Sequence, residues 1–230
     1  MPPFRLEVLL RVSRSLAALT LLSALFVPAW VSAGAPAEPK TVGELVPVVQ
    51  ATYKGVQTIR AEFVQTSKNP MTGVEEKQRG KILLERPRKY RLELGLPLTS
   101  AVVGDGTTQW IYAAQAKQVT VQKELGTGGG PVQLIDDLGR LTELFDATLA
   151  VATVPPKPIF QLTLKPKTPG SLVQMDITLK KMSYILQELN LTYSGGVGVK
   201  MAFTGMVLGG DIPDTQFVFK APPGVTVVQM

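Results

Sequence analysis

Residues 80–122 read GKILLERPRKYRLELGLPLTSAVVGDGTTQWIYAAQAKQVTVQ, and this stretch decides the fold. Successive strand side chains point to opposite faces, so Ile82, Leu84 and Arg86 share one face while Lys81, Leu83 and Glu85 share the other. Arg86 therefore ends an apolar face and stands directly before Pro87. Asp105-Gly106 is a hairpin signal between Ala101-Val102-Val103 and Trp110-Ile111-Tyr112. A sheet that turns apolar surface and one arginine the same way suggests a greasy cavity with a single polar switch.

Working outward, the same pattern continues on both sides. Alternation predicts strands over 58–66, with Ile59, Ala61 and Phe63 on one side, then 77–86, 89–94, 99–104, 109–113 and 118–123 as an antiparallel meander. Strand signals resume over 159–165, 173–180, 185–193, 197–204 and 216–219. Residues 41–56 read as an amphipathic helix. Thr41 suits its cap, Glu44 lies three residues on, and Leu45, Val48, Val49 and Tyr53 form a stripe; Pro47 is expected near its first turns. Gly126 to Gly130, followed by Pro131, reads as a hinge. Residues 132–147 read as helical, with Leu134, Ile135, Leu138, Leu141, Leu144 and Phe145 apolar and Gly139 dividing two short helices. The expected fold is α+β and mainly antiparallel β: a sheet of about 11 strands, curled to bury its apolar face and covered by helices.

Residues 1–33 read as a signal peptide. Arg5, Arg11 and Arg14 form a basic start, 16–31 are apolar apart from Thr20 and Ser23, and Val31-Ser32-Ala33 predicts cleavage after Ala33. Residues 34–40 are a Pro/Ala linker, leaving a single domain over 41–230 with a helical insertion at about 131–147. An exported, soluble protein is expected. The chain is basic overall (+6) and contains no cysteine and no histidine. Disulfides, a lipid-bearing cysteine, Cys/His zinc sites and His-dependent catalytic dyads and triads are thereby excluded.

Arg60-Ala61-Glu62-Phe63-Val64-Gln65, Gly80 to Pro87, Tyr90-Arg91-Leu92-Glu93, Gly104 to Tyr112, Gln118-Val119-Thr120-Val121 and Phe217 to Val225 occur in an order and spacing that resembles the LolA family. That family comprises periplasmic carriers of outer-membrane lipoproteins. The resemblance implies an incomplete barrel under a helical lid, with an apolar cavity for acyl chains. It implies that Arg86 ties the lid shut and that Tyr90 stands where the family has an aromatic of the cavity mouth. Leu83 and Leu92 replace aromatics common in other members. The implied lipid-binding set is Arg86, Ile82, Leu84, Tyr90, Leu92, Phe63 and Trp110; the lid set is Leu134, Ile135, Leu138 and Leu141. The implied partners are acylated lipoproteins, an inner-membrane ABC-type release complex, and an outer-membrane receptor or the outer membrane itself. No cofactor, metal, catalysis or nucleic acid is implied, and the protein is expected to be a monomer. The alternative is a lipid- or lipoprotein-sensing signalling domain of the same fold.

Other features read more plainly. Arg86 in a surface pair with Glu85 or Glu93 is the simpler expectation without the resemblance. Asp136-Asp137 and Glu75-Glu76 read as solvated charge, because adjacent helical residues diverge. The run from Arg86 to Arg91 suits an acidic partner surface. Met175, Met182, Met201 and Met206 suit a greasy wall or ordinary core. The 126–130 glycines lack the residues of a phosphate loop, and no G-x-S-x-G elbow marks a hydrolase.

Overall fold

The computed structural model describes residues 38–68, 71–123, 130–149 and 159–230. The signal peptide, most of the linker and the glycines at 126–129 lie outside the described residues. Among the described residues one sheet contains β1 (Thr58–Lys68), β2 (Glu75–Glu85), β3 (Lys89–Leu94), β4 (Ser100–Asp105), β5 (Gln109–Ala113), β6 (Gln118–Gln122), β7 (Phe145–Leu149), β8 (Ile159–Pro166), β9 (Leu172–Lys180), β10 (Leu186–Tyr193), β11 (Gly198–Leu208) and β12 (Thr226–Gln229). Their order in space is β12-β6-β5-β4-β3-β2-β1-β11-β10-β9-β8-β7. The chain walks outward from β1 to β6, then returns from the far side until β11 closes against β1. The edge strands β12 and β7 do not pair with each other, so the barrel stays open.

The alternation sorts the sheet into two faces. Ile59, Ala61 and Phe63 of β1, Ile82 and Leu84 of β2, and Tyr90 and Leu92 of β3 are buried on the concave side. Leu162, Leu164, Met175, Ile177, Leu189 and Met201 continue that surface on the other half, and all belong to one cluster. Two glycines allow the aromatics to lie flat. Phe63 pairs with Gly80, and a Cβ there would sit 2.3 Å from the ring and 2.4 Å from the Glu93 carbonyl oxygen. Tyr90 pairs with Gly104, where a Cβ would sit 2.5 Å from the ring. An aromatic across a strand glycine restores the packing that the glycine omits.

Helices cover the concave side. α1 (Val42–Lys54) starts as expected: the Thr41 hydroxyl accepts from the Glu44 N–H at 3.3 Å, while the Glu44 carboxylate accepts from the Lys40 N–H at 2.7 Å. Pro47 lies in its second turn. Its buried face is Leu45, Val46, Val49 and Tyr53, so Val46 joins the stripe and Val48 is only half-buried. α2 (Gly130–Asp136), a 3-10 turn (Asp137–Arg140) and α3 (Leu141–Leu144) follow. Ile135, Leu138 and Leu141 are buried in the main cluster, whereas Leu134 packs at its margin. Gly139 does divide the helices, and for a steric reason. A Cβ there would lie 3.1 Å from the Lys54 Cα, so the glycine lets this turn close onto the end of α1.

Three expectations are corrected. Residues 145–147 belong to β7, not to a helix; Phe145 pairs with Pro166 and Ala147 with Leu164 on β8. A short apolar run fits both periods, and strand pairing decided it. Residues 216–219 are not a strand. Asp214–Phe217 is a 3-10 turn, held where Arg91 donates to the Gln216 carbonyl at 2.8 Å and the Val218 carbonyl at 3.2 Å. The last strand is β12, which pairs parallel with β6 and takes the count to twelve.

Candidate functional site

The Arg86 guanidinium gathers two helix ends at the rim of the concave face. Its Nε donates to the Asp136 carboxylate at 2.6 Å and its Nη2 to the Asp136 carbonyl at 3.1 Å. Its Nη1 donates to the Tyr53 carbonyl at 2.8 Å and to the Val56 carbonyl. Carbonyls at a helix C-terminus lack intrahelical donors and carry partial negative charge, so a cation there satisfies both needs. α1 ends at Lys54 and α2 at Asp136, so one side chain serves both ends. The backbone beneath is pinned as well: the Arg86 N–H donates to the Gln57 carbonyl at 2.9 Å. An always-charged fork with several donors in one plane suits four acceptors converging from three directions.

Asp136 and Asp137 do diverge, but neither is freely solvated. Asp136 is the half-buried partner of Arg86. Asp137 is buried and accepts from the Gln133 side-chain amide at 2.8 Å. Burial pushes its carboxyl above the usual range, and the neighbouring Asp136 charge adds to the shift. Glu75 and Glu76 are exposed, as expected. The simpler reading of Arg86 does not hold: Glu85 pairs with Lys89, and Glu93 with Arg91 and Lys81. Those pairs also consume most of the basic run, since Lys89 additionally meets Asp214 at 2.6 Å.

Tyr53 anchors α1 to the opposite half of the sheet. Its hydroxyl accepts from the Leu186 N–H at 2.8 Å, and burial pushes its ionisation up to about 12. The cover is thus held at two points, Arg86 on the β2 side and Tyr53 on the β10 side.

The structure brings together Phe63, Ile82, Leu84, Tyr90 and Leu92 with Ile135, Leu138 and Leu141 in one cluster, beside Arg86. Trp110 lies elsewhere. It pairs with Val103 and Val121 on the convex face, in a second cluster with Ala101, Tyr112 and Val119. Phe219 covers that cluster, its ring 5.9 Å from Tyr112. Strand alternation placed Trp110 beside Tyr112 correctly but could not say which face the C-terminal segment would cover. Leu83 also faces outward, in a groove with Arg60, Glu62 and Lys81. Met175 and Met201 are buried in the core, whereas Met182 is 90 % exposed at a turn. The Asp136 carbonyl lies in the 132–147 segment that Arg86 is expected to tie. The Asp136 carboxylate as an ion-pair partner is not legible in the sequence, because nothing local ties residues 50 positions apart.

Among the described residues no group of three or more acidic side chains is placed to hold a metal ion, and no helix is long and apolar enough to cross a membrane.

Residues 54–220 match the family model described as outer membrane lipoprotein carrier protein LolA. An outer-membrane lipoprotein carrier protein of Chromobacterium violaceum is 30% identical over 202 residues, 84% of this chain and 90% of that protein. One from Bordetella pertussis is 29% identical over 201 residues, 86% of this chain and 91% of that protein. Among solved structures, an uncharacterized conserved protein from Thermus thermophilus shares the fold, with a TM-score of 0.50 and 13% identity over 82% of this chain and 98% of that one.

Proposed function

The chain belongs to the LolA family, and from that premise we propose that it is a periplasmic carrier that takes the acyl chains of lipoproteins onto its concave apolar face and moves them from the inner to the outer membrane. It binds and releases without catalysis. The signal-peptide reading of residues 1–33 supports export. Loading from an inner-membrane ABC-type release complex and delivery to an outer-membrane receptor, or to the membrane itself, complete the route.

One observation carries the mechanism: the cover is clasped by a charged group, not by apolar packing alone. Each buried CH₂ of an acyl chain stabilises binding by about 0.8 kcal/mol, so a permanently open greasy face would hold cargo too tightly to release it. With the cover closed, Arg86 satisfies both helix ends. Acyl chains entering between the cover and Phe63, Ile82, Leu84 and Leu92 push α2 and its neighbours outward and break the Asp136 contacts. The freed guanidinium and carbonyls then favour closure, and that closure helps to expel cargo at the acceptor.

The test is co-expression in the periplasm with a tagged triacylated lipoprotein, followed by mass spectrometry of the purified complex. A stoichiometric complex that requires the acyl groups is the expected result. Arg86→Leu should form that complex and fail to pass it on. Normal delivery by Arg86→Leu would refute the clasp and leave the carrier reading intact.

A further inference from the structure

We propose that the Tyr90 hydroxyl is the hydrogen-bond donor for an acyl carbonyl of the bound lipid. This rests on the carrier reading and adds to it a polar contact that orients the cargo. Tyr90 is 3 % exposed and lies on the concave face. Its hydroxyl is buried and has no hydrogen-bond partner among the described residues. Such groups are rare in folded proteins because a lost water partner is not replaced. Burial also pushes its ionisation up to about 12, so it is a neutral donor at physiological pH.

The geometry aims this donor. Tyr90 pairs with Gly104 across β3 and β4, and the far end of its ring lies over that glycine: a Cβ on Gly104 would sit 2.6 Å from Cζ. The hydroxyl end of the ring therefore lies over β4, on the side of β3 away from β2. On that side the register sets Val102, Ile111 and Gln109 on the same face as Tyr90. Val102 and Ile111 are only half-buried, unlike the closed surface of the β8–β11 half. Tyr90 also pairs with Leu84, two residues before Arg86, so the hydroxyl lies at the end of the sheet that the clasp closes. Chains laid along the apolar face with their head group at that rim would bring a carbonyl to Tyr90. An apolar surround with one neutral donor suits an ester or amide oxygen. It does not suit a phosphate, which would need a free cation.

The experiment compares binding of a synthetic diacylglyceryl lipopeptide with ester-linked chains against its dialkyl ether analogue, in wild type and Tyr90→Phe. Wild type should favour the ester form by about tenfold, and Tyr90→Phe should bind both alike. A diester phospholipid and its diether counterpart identify the source of the carbonyl. A shared ester preference supports a site for any diacyl lipid; a preference confined to the lipopeptide supports the lipoprotein as ligand. Equal wild-type affinities for the ester and ether lipopeptides, or a ratio unchanged in Tyr90→Phe, overturn the hydrogen bond while the carrier reading survives. No lipopeptide binding by either protein overturns the carrier reading and this proposal with it. The phenyl ring keeps its place over Gly104, so the empty protein's thermal midpoint is a second readout. It should rise in Tyr90→Phe; a fall would show that the hydroxyl is already satisfied, and would overturn the proposal.

Discussion

Arg86 holds Asp136 twice, through Nε on the carboxylate at 2.6 Å and through Nη2 on the backbone carbonyl at 3.1 Å. One contact depends on the aspartate side chain and the other on the position of the helix itself. Asp136→Asn should therefore weaken the clasp, and Arg86→Leu should abolish it. The pair is partly screened, with side chains 18% and 31% exposed, so a double-mutant cycle should give a coupling of about 1–2 kcal/mol. Denaturant unfolding of the four proteins measures it. A coupling near zero would mean that the carbonyl contacts alone hold the cover.

Gly139 sets how closely the cover approaches α1. Gly139→Val brings branched carbon against the Lys54 backbone, which cannot swing aside as a side chain can. We expect a loss of about 1–3 kcal/mol in stability and faster amide exchange across 130–144, with exchange in β2 unchanged. Gly139→Ala should show the same pattern more weakly.

Gly80 and Gly104 should respond differently to rescue. The three atoms nearest a Cβ on Gly104 all belong to the Tyr90 ring, so a smaller residue at Tyr90 should recover part of the loss in Gly104→Ala. Gly80→Ala collides with the Phe63 ring and also with the Glu93 carbonyl oxygen at 2.4 Å. Trimming Phe63 should not rescue it. Each single alanine should cost about 1–3 kcal/mol, and thermal melts of the double variants decide the point.

Tyr53→Phe should destabilise by about 1–3 kcal/mol, because the Leu186 N–H loses its acceptor. The folded Tyr53 ionises only near 12, above its ordinary value of 10. Its contribution is thus complete below pH 10 and is lost as the pH rises from 10 to about 12, where the unfolded chain ionises first. Alkaline unfolding should be shallower in Tyr53→Phe. Tyr90→Phe should raise stability near pH 7, so the same substitution has opposite signs at the two sites.

Asp137 is buried beside Asp136, and its carboxyl titrates above the ordinary range. The protonated form suits the fold, so the group's favourable contribution is complete in acid and is lost as the pH rises through its folded value. Asp137→Asn keeps an oxygen for Gln133 and removes the charge. It should raise the thermal midpoint at pH 7, with a difference that shrinks as the pH falls below the ordinary carboxylate range.

Alternation of apolar and polar residues was enough to locate β1 to β6 and β8 to β11, because a half-buried strand writes its period of two directly into the chain. Thr41 as a helix cap and Asp105-Gly106 as a turn were equally legible, since both act within a few residues. So were the shared faces of Ile59, Ala61 and Phe63 and of Ile82 and Leu84, whereas Tyr90 and Leu92 joined them only through the family resemblance. What only the tertiary structure decided are the relations between distant segments. Residues 145–149 became a strand because β8 offered an edge, and 226–229 because β6 did. Trp110 faces the C-terminal segment because that segment, over a hundred residues later, covers the convex side. Asp136 meets Arg86 because Gly139 lets the cover settle on α1. Local periodicity reports how a residue divides between two faces. Which face is covered, and which buried charge finds which partner, depends on surfaces that exist only once the sheet has curled.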